Sequence, residues 1–108
     1  MPTPEANVKN KVKRILKEYG AYQFSPQTGG YGRSGIPDII ACYKGTFIAI
    51  ECKAGNNKPT KLQEKELRDI ALAGGYVCVI NEDSMKDVRT LLDGVNNSRE
   101  ILKGIRNG

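Results

Sequence analysis

Three residues of the sequence, Asp38, Glu51 and Lys53, have types and a spacing that could hydrolyse a phosphodiester bond with the help of a metal ion. Two neighbouring carboxylates repel each other, and Mg²⁺ relieves that repulsion because it prefers one or two carboxylates together with water and phosphate oxygens. A lysine beside them can orient or deprotonate the attacking water, or neutralise charge on the phosphate. The backbone carbonyl of Cys52 is a further candidate metal ligand. Because the chain has no histidine, Ser–His and Cys–His schemes are excluded.

A predicted β-hairpin brings these residues together. Two apolar runs, residues 37–43 and 46–53, predict its strands, and a Lys-Gly pair predicts the turn between them. The start of one strand lies beside the end of the other, so Asp38 should meet Glu51 and Lys53 at one edge of the sheet. Side chains alternate along a strand, so Glu51 and Lys53 share a face. The alternative is a surface salt bridge at a strand end.

The remaining elements predict helical layers around this hairpin. We expect helices over residues 4–19 and 61–73, one capped by Ser84 and broken at Gly94, a last one over 97–105, and strands over 21–25 and 76–80. This order, α-β-β-β-α-β-α, predicts an α/β fold with the hairpin central in a mixed sheet. The strand after the crossover helix should be parallel to the strand before it. The length of 108 residues predicts a single domain over 1–108.

Glu5 is a further candidate site residue. At about 100° per residue it falls in the middle of the apolar stripe of the first helix, which contains Val8, Val12 and Leu16. That position predicts a side chain that faces the body of the protein, where it would bind the metal or pair with the catalytic lysine. The alternative is an acid favoured in the first turn by the helix dipole.

Other polar residues are candidate DNA contacts. Gln63 completes a capping box at the start of the second helix, and Lys58 and Lys61 beside it could contact phosphate or simply be solvated. Arg33 and Tyr31 lie in a glycine-rich loop before Asp38 and could grip a DNA backbone or stack on a base. The first helix carries further basic residues spread around its polar face, which predicts solvation rather than a dedicated groove: Lys9, Lys11, Lys13, Arg14 and Lys17.

The composition favours an intracellular protein that binds a polyanion. The formal net charge is +5, for which nucleic acid is the commonest partner. No apolar run is long enough to cross a bilayer and no signal peptide is evident, so we expect a cytoplasmic protein without a membrane partner. Cys42, Cys52 and Cys78 lie in apolar surroundings and are expected to be buried thiols.

The order of these motifs resembles that of a known nuclease superfamily. Gly35-Ile-Pro-Asp38, then Glu51-Cys-Lys53 after the hairpin turn, then Gln63 on the next helix, is similar to the PD-(D/E)xK pattern. Within that superfamily the sequence most resembles the VRR-NUC domains. An acid on the first helix, here Glu5, and the apolar strand after Gly-Gly also belong to that pattern.

The resemblance implies a restriction-endonuclease-like α/β/α core and an endonuclease that cuts DNA with Mg²⁺ or Mn²⁺. It implies that Asp38 and Glu51 hold the metal, that Lys53 assists the water, and that Glu5 and Gln63 support the site. Small stand-alone members, often found in phages, suggest a homodimer that acts on branched DNA such as Holliday junctions. A C2 dimer supplies the two matched cuts that a symmetric four-way junction needs.

Three alternatives remain open from the sequence. The first is a nicking or flap-specific nuclease with the same site, and the second is a DNA-binding module without catalytic activity. The third is an unrelated small α/β interaction protein. Divalent-metal binding that is lost on Asp38→Ala would count against both non-enzyme alternatives.

Overall fold

The computed structural model describes residues 2–27 and 34–107, with side chains described as far as Ile105. Its elements are α1 (Pro4–Tyr19), β1 (Tyr22–Phe24), β2 (Ile39–Tyr43), β3 (Thr46–Cys52), α2 (Lys61–Leu72), β4 (Tyr76–Ile80) and α3 (Lys86–Asn107). This order confirms the predicted α/β arrangement. The strand ends differ from the predicted ones by one or two residues.

The sheet has four strands in the order β1-β2-β3-β4. The pairs β1–β2 and β2–β3 are antiparallel, whereas β3 and β4 are parallel, as the crossover through α2 predicted. The β2–β3 hairpin is therefore central. Its turn residues, Lys44 and Gly45, have φ values of 49° and 83°, the left-handed conformation that suits the twist of a two-residue hairpin turn.

The two faces of the sheet are covered by different helices. Ile48, Ile50 and Cys52 point to the face where α1 and α3 pack, and all three are buried in the main core. Alternation sends Phe47 and Glu51 to the opposite face. The second helix lies on that face, since Gly75 is bordered by Ile70 of α2 and by Phe47. The layers are thus α/β/α.

The start and end of α1 follow from its sequence. The Ala6 N–H donates to Thr3 Oγ1 over 3.1 Å, and Gly20 ends the helix at a φ of 80°. The predicted apolar stripe is confirmed, because Val8, Val12, Ile15 and Leu16 are all buried.

The predicted break at Gly94 and the separate last helix are wrong, because α3 is continuous from Lys86 to Asn107. Val95 is buried in the same stripe as Val88 and Leu92, so packing holds the helix through the glycine. Ser84 does not cap α3 with its side chain. Its hydroxyl donates to Asn81 Oδ1 and accepts from the Asn81 N–H, which closes the turn after β4.

The prediction that all three cysteines are buried is wrong for Cys42, which is exposed on β2. Its face of the sheet is not covered at that position, since Tyr22, its partner on β1, is also exposed. Cys52 is buried and Cys78 is partly buried, and all three thiols are free. Among the described residues, no helix is long and apolar enough to cross a membrane.

Candidate active site

Asp38 and Glu51 lie opposite each other at one end of the central hairpin. Ile39 pairs with Ile50, so the next step of the register places Asp38 beside Glu51. The Asp38 N–H donates to Glu51 Oε1 over 3.2 Å, and the Cys52 N–H donates to Asp38 Oδ2 over 2.8 Å. Each carboxylate therefore accepts a hydrogen bond from the backbone of the neighbouring segment of the hairpin. The sequence prediction that the hairpin brings these two acids together is confirmed.

Glu51 is a buried acid with a perturbed pKa. Its residue is 1% exposed, and it is the buried charged residue of the described core. Burial, and then the negative charge of Asp38, raise the pKa of Glu51 from 4.5 to about 7, while Lys53 opposes the shift. Such a carboxylate gains more from a nearby cation than an exposed one does.

Lys53 stands beside Glu51 at the end of β3. Its Nζ lies 3.8 Å from Glu51 Oε2 and 3.9 Å from Glu5 Oε1, and its side chain is 13% exposed. The Lys53 N–H donates to the Ile80 carbonyl over 2.9 Å, which fixes the backbone of Lys53 on β4. The ammonium is therefore placed between two carboxylates.

Glu5 reaches the site from the solvent side. Its side chain points toward the body of the protein as predicted, since it contacts the largely buried Lys53, but it is itself 50% exposed. It lies in the first turn of α1, before the first buried residue, Val8, so it is not covered by the sheet. Its contact with Lys53 is the lysine pairing that the sequence analysis expected.

The start of α2 packs against the Gly-Ile-Pro-Asp motif. Gly35 has a φ of 83°, and a Cβ there would lie 2.6 Å from the Leu62 carbonyl oxygen and 3.0 Å from the Gln63 nitrogen. Only glycine fits this approach without displacement. The motif that begins at Gly35 and ends at Asp38 is thus anchored to the first turn of α2, a role that the sequence pattern did not reveal.

Gln63 forms the predicted capping box. Its Oε1 accepts from the Thr60 N–H over 2.8 Å, and its own N–H donates to Thr60 Oγ1 over 3.2 Å. The Gln63 side chain therefore caps the first turn of α2, against which Gly35 packs. Direct support of the catalytic groups by Gln63 stays a prediction.

Two residues after β4 brace the segment that follows Lys53. The Gly55 N–H donates to Glu82 Oε1 over 2.8 Å, and Asn81 Nδ2 donates to the Gly55 carbonyl over 3.2 Å. The sequence analysis did not identify either residue. The sequence signal for this turn is the Asn-x-x-Ser pattern directly after an apolar strand. Asparagine and serine side chains often close a turn by hydrogen bonds to the nearby backbone, as Asn81 and Ser84 do here.

Two of the four predicted DNA contacts lie among the described residues. Lys58 and Lys61 are exposed at the start of α2, where they are free to meet a phosphate backbone. Tyr31 and Arg33 lie outside the described residues. Their contribution to DNA binding stays a prediction.

The donor set suits a hard divalent cation. Asp38 and Glu51 supply carboxylate oxygens side by side, which Mg²⁺ and Mn²⁺ favour, and water and phosphate oxygens complete such sites. Within residues 2–27 and 34–107, no three acids or cysteines converge as a ready-made cage. The buried thiol of Cys52 has a pKa raised to about 12 by burial, so this residue fits as a ligand only through its backbone carbonyl.

Comparisons with known proteins agree on one class of protein, the nucleases. Residues 6–74 match the family model described as archaeal Holliday junction resolvase (Hjc), a span that includes Asp38, Glu51, Lys53 and Gln63 and begins just after Glu5. The chain is 36% identical over 91 residues to "Putative nuclease p44" of Acyrthosiphon pisum secondary endosymbiont phage 1, covering 82% of this chain and 89% of that protein. A solved VRR_NUC domain superposes with a TM-score of 0.67 at 26% identity, covering 84% of this chain and 96% of that one.

Proposed function

This chain belongs to the archaeal Holliday junction resolvase (Hjc) family and is a nuclease of the VRR-NUC type, and from that premise we propose that it cuts branched DNA with the help of a divalent cation. Its general activity, that of a DNA endonuclease, follows from the family. The observation that carries the rest of the proposal is the juxtaposition of Asp38, Glu51 and Lys53 at the end of the central hairpin.

Asp38 and Glu51 would hold the cation, together with the backbone carbonyl of Cys52. When bound, Mg²⁺ or Mn²⁺ supplies Lewis-acid stabilisation of the phosphate and lowers the pKa of a coordinated water. The two backbone hydrogen bonds to the carboxylates hold their oxygens in place before DNA arrives. Such preorganisation lowers the reorganisation needed during the reaction.

Lys53 acts on the water or on the phosphate. Its ammonium, 3.8 Å from Glu51, is within reach of a nucleophile that approaches the carboxylate pair. It orients the water through a hydrogen bond and offsets the charge that accumulates on the phosphate oxygens. Glu5, on the other side of the ammonium, positions Lys53 and completes a chain of alternating charges, Glu5–Lys53–Glu51, at the sheet edge.

The substrate that we propose is a four-way junction, cut by a homodimer over the whole chain, residues 1–108, as one domain. A two-fold dimer presents two copies of the Asp38–Glu51 pair, and a four-way junction offers two related strands. The resolvase family model supports this choice of DNA. A flap or a nicked duplex has no such symmetry.

The test is a cleavage assay on matched substrates. A four-way junction, a flap and a plain duplex of shared sequence are end-labelled and incubated with the protein and Mg²⁺ or Mn²⁺, with EDTA as the blank. We expect paired, symmetric cuts in the junction, none in EDTA, and a dimer mass by sedimentation in solution. Faster cutting of the flap, or single unpaired cuts by a monomer, would replace the resolvase proposal by a flap or nicking nuclease.

A further inference from the structure

A basic groove lies between α1 and the edge strand β1, away from the candidate active site. It has a volume of about 470 Å³, and Lys13, Arg14 and Lys17 form its helical wall. Gln23 and Ser25 form the strand wall. None of the described residues that line the groove is acidic, so every charge that they present is positive.

The helical wall consists of four side chains that can donate hydrogen bonds. Asn10, Lys13, Arg14 and Lys17 follow the i, i+3, i+4, i+7 spacing of one helix face. Within the part of the chain that the structure describes, none of the three cations forms an ion pair. The basic residues of α1 were expected to form a solvated face, and Arg14 and Lys17 are exposed, but together with Lys13 and β1 they also line a groove.

The strand wall contributes an unpartnered donor. Ser25 Oγ is inaccessible to water and has no hydrogen-bond partner in the described structure. A buried hydroxyl without a partner is costly, and a rotation of the Ser25 side chain toward the groove would let it donate to a bound phosphate oxygen. Gln23 is already engaged, since its Nε2 donates to the Lys13 carbonyl over 2.8 Å and fixes strand to helix.

We propose that this groove binds the phosphate backbone of a duplex arm of the DNA substrate, at phosphates other than the one that is cleaved. The inference rests on the proposed function as a DNA nuclease. Three cations and a neutral hydrogen-bond donor, with no negative charge beside them, suit an extended polyanion. Contacts to the phosphate backbone fix the register of a protein on DNA. Lys13 and Lys17, four residues apart, are separated by about 6 Å along the helix, so they can contact different phosphates.

The position of the groove fits this role. Phe24 pairs with Ile40, two residues along β2 from Asp38. The edge strand β1 lies two strand spacings, about 10 Å, from β3 and Glu51. Gln23 pairs with Ala41 and therefore shares the α1 face of the sheet, whereas Asp38 and Glu51 lie on the α2 face. The phosphates that the groove binds therefore belong to a duplex arm that passes around the edge strand β1, and not to the strand segment held by the carboxylate pair.

The test compares two double variants with the same loss of charge. Lys13→Gln with Lys17→Gln alters the groove, whereas Lys86→Gln with Lys103→Gln removes two exposed lysines of α3 as a control. Binding of a labelled four-way junction is measured in EDTA, where no cutting occurs, over a range of salt concentrations. Thermal melting checks that both variants are folded.

We expect the groove variant to bind about tenfold more weakly than the control at low salt, with a salt slope reduced by about 2, since each phosphate contact contributes nearly 1. Ser25→Ala should weaken binding a few-fold and leave the salt slope unchanged, because it removes a neutral donor. If the groove variant matches the control in affinity and slope while the wild type binds and cuts DNA, the groove proposal is overturned and the nuclease stands. If the wild type neither binds nor cuts any DNA, the proposed function itself fails.

Discussion

The Asp38 N–H donates to Glu51 Oε1 over 3.2 Å, one step beyond the last pair of the β2–β3 register, Ile39–Ile50. The same two side chains repel each other, because both carry carboxylates and one of them is almost fully buried. The backbone thus holds together two acids that electrostatics drives apart. This combination costs stability in the absence of a cation and prepares a site for one.

Glu51→Gln should stabilise the protein at neutral pH. Between about pH 4.5 and 7 the folded protein keeps a proton on Glu51 that the unfolded chain has released, so wild-type stability falls as pH rises through that window. The variant keeps the shape of the side chain and does not titrate. We expect its advantage in free energy of unfolding to grow through the window to roughly 3 kcal/mol above pH 7.

The measurement for Glu51 is urea unfolding of both proteins without metal, at a series of pH values that spans this window. An advantage of the glutamine variant that is largest at low pH would contradict the assigned cause, as would a variant that is less stable than the wild type above the window. Cleavage by the variant should be lost at every pH.

Gly35→Ala should destabilise the protein and displace Asp38. The added Cβ would lie 2.6 Å from the backbone of Leu62, so the motif or α2 must shift. Gly20→Ala is the matched control, since Gly20 has nearly the same φ, 80° against 83°, and open space around it. We expect a loss of about 1 kcal/mol for Gly20→Ala and about 3 kcal/mol for Gly35→Ala.

Chemical denaturation gives both free energies, and cleavage measured well below the unfolding transition gives the effect on the site. Only Gly35→Ala should slow cutting. Equal losses of stability and full activity in both variants would show that the approach of Gly35 to α2 has no functional role.

Glu5→Gln should lower activity without lowering stability. Glu5 is half exposed, so its ion pair with Lys53 contributes little to folding. Its loss frees the lysine ammonium from one of its two carboxylates, and we expect about 10- to 100-fold slower cleavage. Glu64→Gln, which alters an exposed acid in the first turn of α2, is the control. Similar rates for the two variants would assign Glu5 to the helix dipole alone.

Gly94→Ala should stabilise the protein. Gly94 lies inside the continuous helix α3, and a Cβ there would meet nothing within 4 Å. Alanine is favoured over glycine in a helix interior by about 0.5 to 1 kcal/mol. A rise of the thermal midpoint checks this expectation. A fall would mean that the chain breaks at Gly94, as its sequence had predicted.

The parts of the fold that could be predicted from the sequence depend on short-range periodicity. Alternation along β3 and the register of one tight hairpin suffice to place Asp38, Glu51 and Lys53 together. The buried apolar stripe of α1 could likewise be predicted from periodicity within one helix. The positions that could not be predicted depend on where elements end relative to one another.

Glu5 shows this limit most clearly. A helical wheel gives the direction of its side chain, but the sheet does not extend far enough to cover the first turn of α1. For Gly94, the burial of Val95 outweighs the local preference of glycine. The basic groove was missed because its second wall, at Gln23 and Ser25, comes from another element.

The most direct test of the central claim is single-turnover cleavage of a labelled four-way junction by the wild type, Asp38→Asn and Lys53→Gln, across a titration of Mg²⁺ with an EDTA blank. Both substitutions remove a charge with little change in side-chain size, and the amide introduced by Asp38→Asn would keep an oxygen for the Cys52 N–H. We expect metal-dependent cutting by the wild type and rates at least about 100-fold lower in both variants, with junction binding retained. Cutting in EDTA, or wild-type rates in either variant, would contradict an active site built on Asp38, Glu51 and Lys53.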